Sequence, residues 1–229
     1  MKASILIPSI RPQQVDIRIK QINSQALDFD YEIIVISQFK TEGNNVLWID
    51  EGPELLLNNK ALQKGFEQST GDYIISTVDL YRPTQNCMRK ILHFTAAHKA
   101  PFVAAFDRVE DHPFLFEKRD EHNRIIDCGI LIPCTNCVSR ETIAMLSYNQ
   151  IENKYLHDPI YQKGFLDCDL ALEVDSLGGC INICSKATNS EINQSFDDLH
   201  GDLSELPVLK EDLAAFKNKW GNSYKELLQ

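Results

Sequence analysis

Four short runs in the first eighty residues are apolar at consecutive positions: 3-ASILIPS-9, 31-YEIIVIS-37, 46-VLWID-50 and 72-DYIISTVD-79. A strand with one wet face alternates apolar and polar side chains, whereas a strand covered on both faces does not. The first two runs therefore read as buried strands, the second rich in β-branched residues, and the other two as strands. Between them the period changes. Residues 12–27 carry Val15, Ile17, Ile19, Ile22 and Ala26 in an imperfect helical pattern. Residues 54–69 place Leu55, Leu56, Ala61, Leu62, Gly65 and Phe66 near one side of a helix, and Gly71 fits its C-terminal stop. Residues 38–45 are a loop and 51–53 a turn. The order β-α-β-loop-β-α-β predicts an α/β fold with a mostly parallel sheet and helices on both faces. In such sheets ligands bind beyond the carboxyl ends of the strands. Ser9, Ser37 and Asp79 fall at those ends.

The second half is less regular. A helix is expected over 84–98, a strand over 101–109, and strand, turn and strand over 128–139. Ser139, followed by Glu141 and Thr142, marks a helix start. A strand follows at 180–185, and an amphipathic helix at 208–220 closes the chain. The charged segment 110–127, with His112 and His122, reads as an exposed excursion. No repeat or linker divides the sequence, so a single domain over 1–229 is expected, with a nucleotide-binding half (1–109) and an acceptor-side half (110–229).

A formal charge of −10 argues against nucleic acid as a partner, because phosphate backbones need a basic face. It does not exclude an anionic nucleotide, which local groups and backbone N–H donors can hold. No stretch approaches the roughly 20 apolar residues that span a bilayer, and the N-terminal run is too short for a signal-peptide core. These features predict a cytoplasmic protein, soluble or membrane-peripheral. The seven cysteines include 134-CTNC-137 and 180-CINIC-184, which have metal-ligand spacing. Both pairs lie beside strand-like runs, so they read as free, largely buried thiols.

Several segments carry a resemblance. The segment 61-ALQKGFEQSTGDYIISTVD-79 resembles the helix, "A-x-G-D-Y-I" strand and acid of family-2-like inverting glycosyltransferases with the GT-A fold. The resemblance implies a GT-A-like, Rossmann-type mixed sheet. It also implies a nucleotide-sugar donor, and a divalent cation (Mn or Mg) carried by Asp79 on the donor diphosphate. A hard cation there would neutralise charge on the leaving group. The family's DxD motif has two acids, whereas this chain reads Val78-Asp79-Leu80-Tyr81.

The segment 164-GFLDCDLALEV-174 resembles the family's "E-D-x-D-L". Leu166 stands at the first acid, Asp167 at the general base and Asp169 at the later acid. The alternative reading of both aspartates is as charges favouring a helix start. The entry strand 3-ASILIPSIRP-12 resembles the family's nucleotide-binding turn, which implies contacts from Pro8, Ser9 and Arg11, joined by Ser37 after the second strand. The terminal 216-FKNKWG-221 resembles the family's closing helix, with Trp220 packed on the domain, and His200 in 198-DLHG-201 takes the place of a second metal ligand.

The implied activity is transfer of a sugar, with inversion, to a glycan or lipid-linked acceptor in surface polysaccharide synthesis. The competing reading is a non-catalytic GT-A-like domain that binds a nucleotide or glycan, favoured by the missing acids. Sugar-1-phosphate nucleotidyl transfer ranks last, because 9-SIRPQQ-14 has no glycine to cradle a triphosphate. Rossmann dehydrogenase chemistry is excluded by the absence of G-x-G-x-x-G.

Overall fold

The structure, a computed structural model, describes residues 1–54, 56–79, 81–108, 117–119, 125–128, 136–150, 154–191 and 207–221. His112, His122, Cys134 and His200 lie outside the described residues.

The expected strands form as β1 (Lys2–Pro8), β2 (Asp30–Ser37), β3 (Val46–Asp50), β4 (Tyr73–Ser76) and β6 (Phe102–Arg108). A three-residue strand, β5 (Tyr81–Pro83), precedes β6. The charged segment contributes β7 (Glu117–Arg119) and β8 (Ile125–Cys128), an antiparallel pair. Then come β9 (Asn136–Ser139) and β10 (Cys180–Glu191), which runs six residues beyond the expected end at 185. The extension pairs with β5, which explains why a polar stretch stays extended.

Eight strands make one sheet in the order β3-β2-β1-β4-β9-β6-β10-β5. Strands β3, β2, β1 and β4 run parallel. Strand β9 is antiparallel to both β4 and β6, and β6 returns to parallel pairing with β10.

Helices cover both faces. Strand alternation sends Ala3, Ile5 and Ile7 of β1 to one cluster, with α1 (Pro12–Asn23) and α3 (Cys87–Ala96). Leu6 goes to the other face, with α2 (Asn58–Gln68), α5 (Leu166–Ser176) and Phe216 of α6 (Pro207–Trp220). A short α4 (Arg140–Met145) starts as expected, with Ser139 Oγ accepting the Thr142 N–H. No described helix is long and apolar enough to cross a membrane.

Three expectations are corrected. In α1 the inward positions are Val15, Arg18, Ile19 and Ile22, and Ile17 is exposed. Helix α2 begins at Asn58, not at 54, because the Glu51 carboxylate accepts the Leu56 N–H at 2.6 Å and holds the chain in a loop. Gly71 is not the stop of α2, whose C-cap is Ser69 in extended conformation. Gly71 is needed for a close approach: a Cβ there would sit 2.5 Å from Ser4 N and 2.7 Å from the Ala3 carbonyl carbon.

Candidate functional site

At the carboxyl ends of β1 and β4 the chain gathers a polar cluster. Ser9 follows β1, its N–H bonded to Ile36 O at 3.0 Å. Arg11 is the N-cap of α1, and Pro12 occupies the first helical turn, where its missing N–H costs nothing. Asp79 lies three residues past β4 and is 1% exposed. Its carboxylate accepts the Ser9 hydroxyl and, at 2.8 Å, Arg11 Nη1. Its backbone carbonyl accepts Arg18 Nη2 at 2.7 Å. Arg18, fully buried on the inward face of α1, also binds the Gln21 side chain. Burial raises the Asp79 pKa, against the opposing pull of Ser9, Arg11 and Arg18. Arg11 Nε is buried and has no hydrogen-bond partner in the structure.

The expected residues Ser9, Arg11 and Asp79 thus meet directly, although up to 70 residues apart. Pro8 ends β1, opposite Ile36 in β2. Ser37 lies at the end of β2 but is fully buried: its hydroxyl donates to Phe39 O at 2.7 Å and accepts Trp48 Nε1 at 3.2 Å.

Asp79 offers oxygen ligands suited to a hard cation. Both of its carboxylate oxygens already hold Ser9 and Arg11, so an ion at this place would stand in for the guanidinium. No cluster of three His, Cys, Asp or Glu able to hold a metal occurs among the described residues.

Asp167 lies in the first turn of α5, 5% exposed, and accepts Asn136 Nδ2 of β9 at 3.0 Å. Asp169 serves a different function. It is 1% exposed and accepts Trp220 Nε1 at 2.7 Å, Tyr161 Oη at 3.0 Å and Lys219 Nζ at 2.9 Å. Lys219 also pairs with Asp158 and Glu173, at 2.7 and 2.8 Å. Burial raises the Asp169 pKa, opposed by Lys219, Trp220 and Tyr161. For Glu173 burial pushes upward, but the bonds from Lys219 and Ser147 outweigh it and the net direction is down. Burial would lower the Lys219 pKa, yet the three carboxylates carry it above the ordinary lysine value. Asp169 therefore fastens α5 to the terminal helix, and Trp220 is the packed tryptophan that was expected.

Sequence reasoning missed Arg18, Asn136 and Lys219. Arg18 had a signal: with Val15, Ile19 and Ile22 it falls at the i, i+3, i+4, i+7 positions of an inward stripe. Asn136 had a weaker one, a polar residue inside a run otherwise read as strand.

No family model matches the chain, and no curated protein matches it in sequence. Solved structures do match its fold. A structure of GalNAc-T7 with UDP, GalNAc and Mn²⁺ aligns with a TM-score of 0.72 and 12% identity, over 98% of this chain and 49% of that one. The mannosyltransferase PcManGT of Pyrobaculum calidifontis, with GDP-Man and Mn²⁺, gives 0.61 and 15%, over 85% and 57%. Glucosyl-3-phosphoglycerate synthase of Mycobacterium tuberculosis, with phosphoglyceric acid, gives 0.60 and 13%, over 96% and 80%. The chain thus spans about half of the first and under two thirds of the second. The fold is the GT-A fold of nucleotide-sugar glycosyltransferases. Identities this low carry the fold alone.

Proposed function

We propose that this chain is an inverting glycosyltransferase. It moves a sugar from a nucleotide-sugar donor to a hydroxyl of a glycan or lipid-linked acceptor, in cytoplasmic steps of surface polysaccharide synthesis. The observation that carries this reading is the Ser9–Arg11–Asp79 cluster at the strand ends of a GT-A fold, with a buried Arg11 N–H that has no partner.

Pro8, Ser9 and Arg11 face the nucleotide and its diphosphate, with Ser37 at the end of the neighbouring strand β2. Arg11 supplies fixed positive charge at the diphosphate. Asp79, with His200 as second ligand, is the group that would hold Mn or Mg. Such an ion would neutralise charge on the leaving diphosphate. Asp167 takes the proton from the acceptor hydroxyl as its oxygen attacks the anomeric carbon. The bond from that carbon to the diphosphate breaks, and the nucleoside diphosphate leaves with the electron pair.

The test is thermal stability against a panel of nucleotides and sugar nucleotides, each with and without Mn²⁺. Ligand at 100 times its Kd adds roughly 2.7 kcal/mol, a visible melting shift. One nucleotide diphosphate is expected to stabilise the protein, Mn²⁺ to increase the effect, and Arg11→Gln to abolish it. Asp167→Asn should retain that shift and lose sugar transfer. A flat panel would overturn the donor-site reading. A shift with transfer untouched by Asp167→Asn would remove the assignment of the base. Binding without transfer by the unmodified chain would favour a non-catalytic nucleotide-binding domain.

A further inference from the structure

The central rungs of the sheet differ sharply in chemistry. Val103 of β6, Val138 of β9 and Ile74 of β4 align as one rung, all apolar and fully buried. The next rung on the same face, toward the strand ends, reads Ala105, Asn136 and Ser76. Asn136 is 1% exposed and Ser76 is 0% exposed. Asn136 Oδ1 and Ser76 Oγ are buried with no hydrogen-bond partner in the structure. A side chain placed there for stability would be apolar, as on the rung beside it, because an unpaired buried polar atom costs free energy.

The Asn136 side-chain amide donates to Asp167 Oδ1 at 3.0 Å. Turning the amide over would set its carbonyl oxygen against a carboxylate, so the acid fixes which way the amide faces. A donor held rigidly by three hydrogen-bonded strands in turn fixes the rotation of that carboxylate and favours its ionised form.

We infer that Asn136 is the positioning residue of Asp167: the sheet, through this amide, orients the carboxylate and keeps it ionised. Its catalytic consequence rests on the reading of Asp167 as general base; the bond itself does not. The titratable groups near Asp167 on α5 are Cys168 and Asp169, and Lys219 and Tyr161 reach Asp169. From the sheet, the side chains on the two rungs around Asn136 are Val103, Val138, Ile74, Ala105 and Ser76, none of which titrates.

The experiment is a carboxyl-carbon NMR titration of Asp167, its signal assigned with Asp167→Asn. It compares the unmodified protein with Asn136→Leu and the isosteric Asn136→Asp. Loss of the donor in Asn136→Leu is expected to raise the Asp167 midpoint. Asn136→Asp, which sets a second carboxylate against the first, should raise it further. The acid limb of kcat/KM should move up with it, and kcat should fall roughly tenfold to hundredfold with KM little changed. A merely structural role would lower activity and leave the midpoint and the limb in place. An unshifted midpoint in either folded variant overturns the inference. Full activity of Asp167→Asn would instead sink the general-base assignment, while the titration still reports on the bond.

Discussion

Asp167 and Asp169 are one residue apart and do opposite things because a helix turns roughly 200° over two residues. One carboxylate therefore meets β9, and the other meets Lys219 and Trp220 of α6. Asp169→Asn leaves Lys219 with one charge partner fewer in a buried network, and is expected to cost about 3 kcal/mol by denaturant unfolding. Asp167→Asn keeps an oxygen for the Asn136 amide and should cost less than about 1 kcal/mol. Equal losses would show that the two acids share one structural role.

His157 gives a second handle at this scale. It is 3% exposed, its Nδ1 has no partner, and burial lowers its pKa to about 4. Between its ordinary value of 6.5 and about 4 the unfolded chain binds a proton that the folded chain refuses, so stability falls as pH falls through that window. The expected loss from pH 7 to pH 5 is about 2 kcal/mol. The measurement is unfolding free energy against pH, in which His157→Leu should flatten that part of the slope. A slope unchanged in the variant would place the acid sensitivity elsewhere.

Helix α6 holds α5, the helix that carries Asp167, in place. Its Asp212 carboxylate accepts the N–H groups of Gln162, Lys163 and Gly164 at 2.8 to 2.9 Å, fixing the loop that leads into α5. Its Lys219 and Trp220 then hold the first turns of α5 itself. Strands β1 and β2 were legible in the sequence because burial on both faces leaves uninterrupted apolar runs, and the Ser139 cap because its signal is local. What closes over distance was not legible. The order β4-β9-β6 and the bond from Asn136 to Asp167 depend on which strands become neighbours, which no local pattern states. Gly71 shows a related ambiguity. A glycine just past a helix looks the same whether the backbone needs a left-handed residue or a neighbouring strand leaves no room. Gly71→Ala separates the two: a Cβ driven against the Ser4 backbone should cost at least about 2 kcal/mol, read as a lowered unfolding midpoint. A small effect would mean that β1 can shift to make room.

Over the whole molecule the sheet ignores the boundary between the expected halves. Strand β9 enters between β4 and β6, and Asn59 of α2 donates to Asp158 O and Tyr161 O across the same boundary. Residues 1–109 alone should therefore show no cooperative thermal transition by circular dichroism, whereas the full chain should. A sharp transition in the fragment would mean that β1 to β4 and their helices suffice. The same arrangement sets an order in time. Strand β6, with its apolar Phe102–Phe106, leaves the ribosome before β9 and β10, the two strands that flank it. For that interval a sticky segment has no native partner to pair with, and the growing chain must be shielded from its neighbours until β9 and β10 arrive.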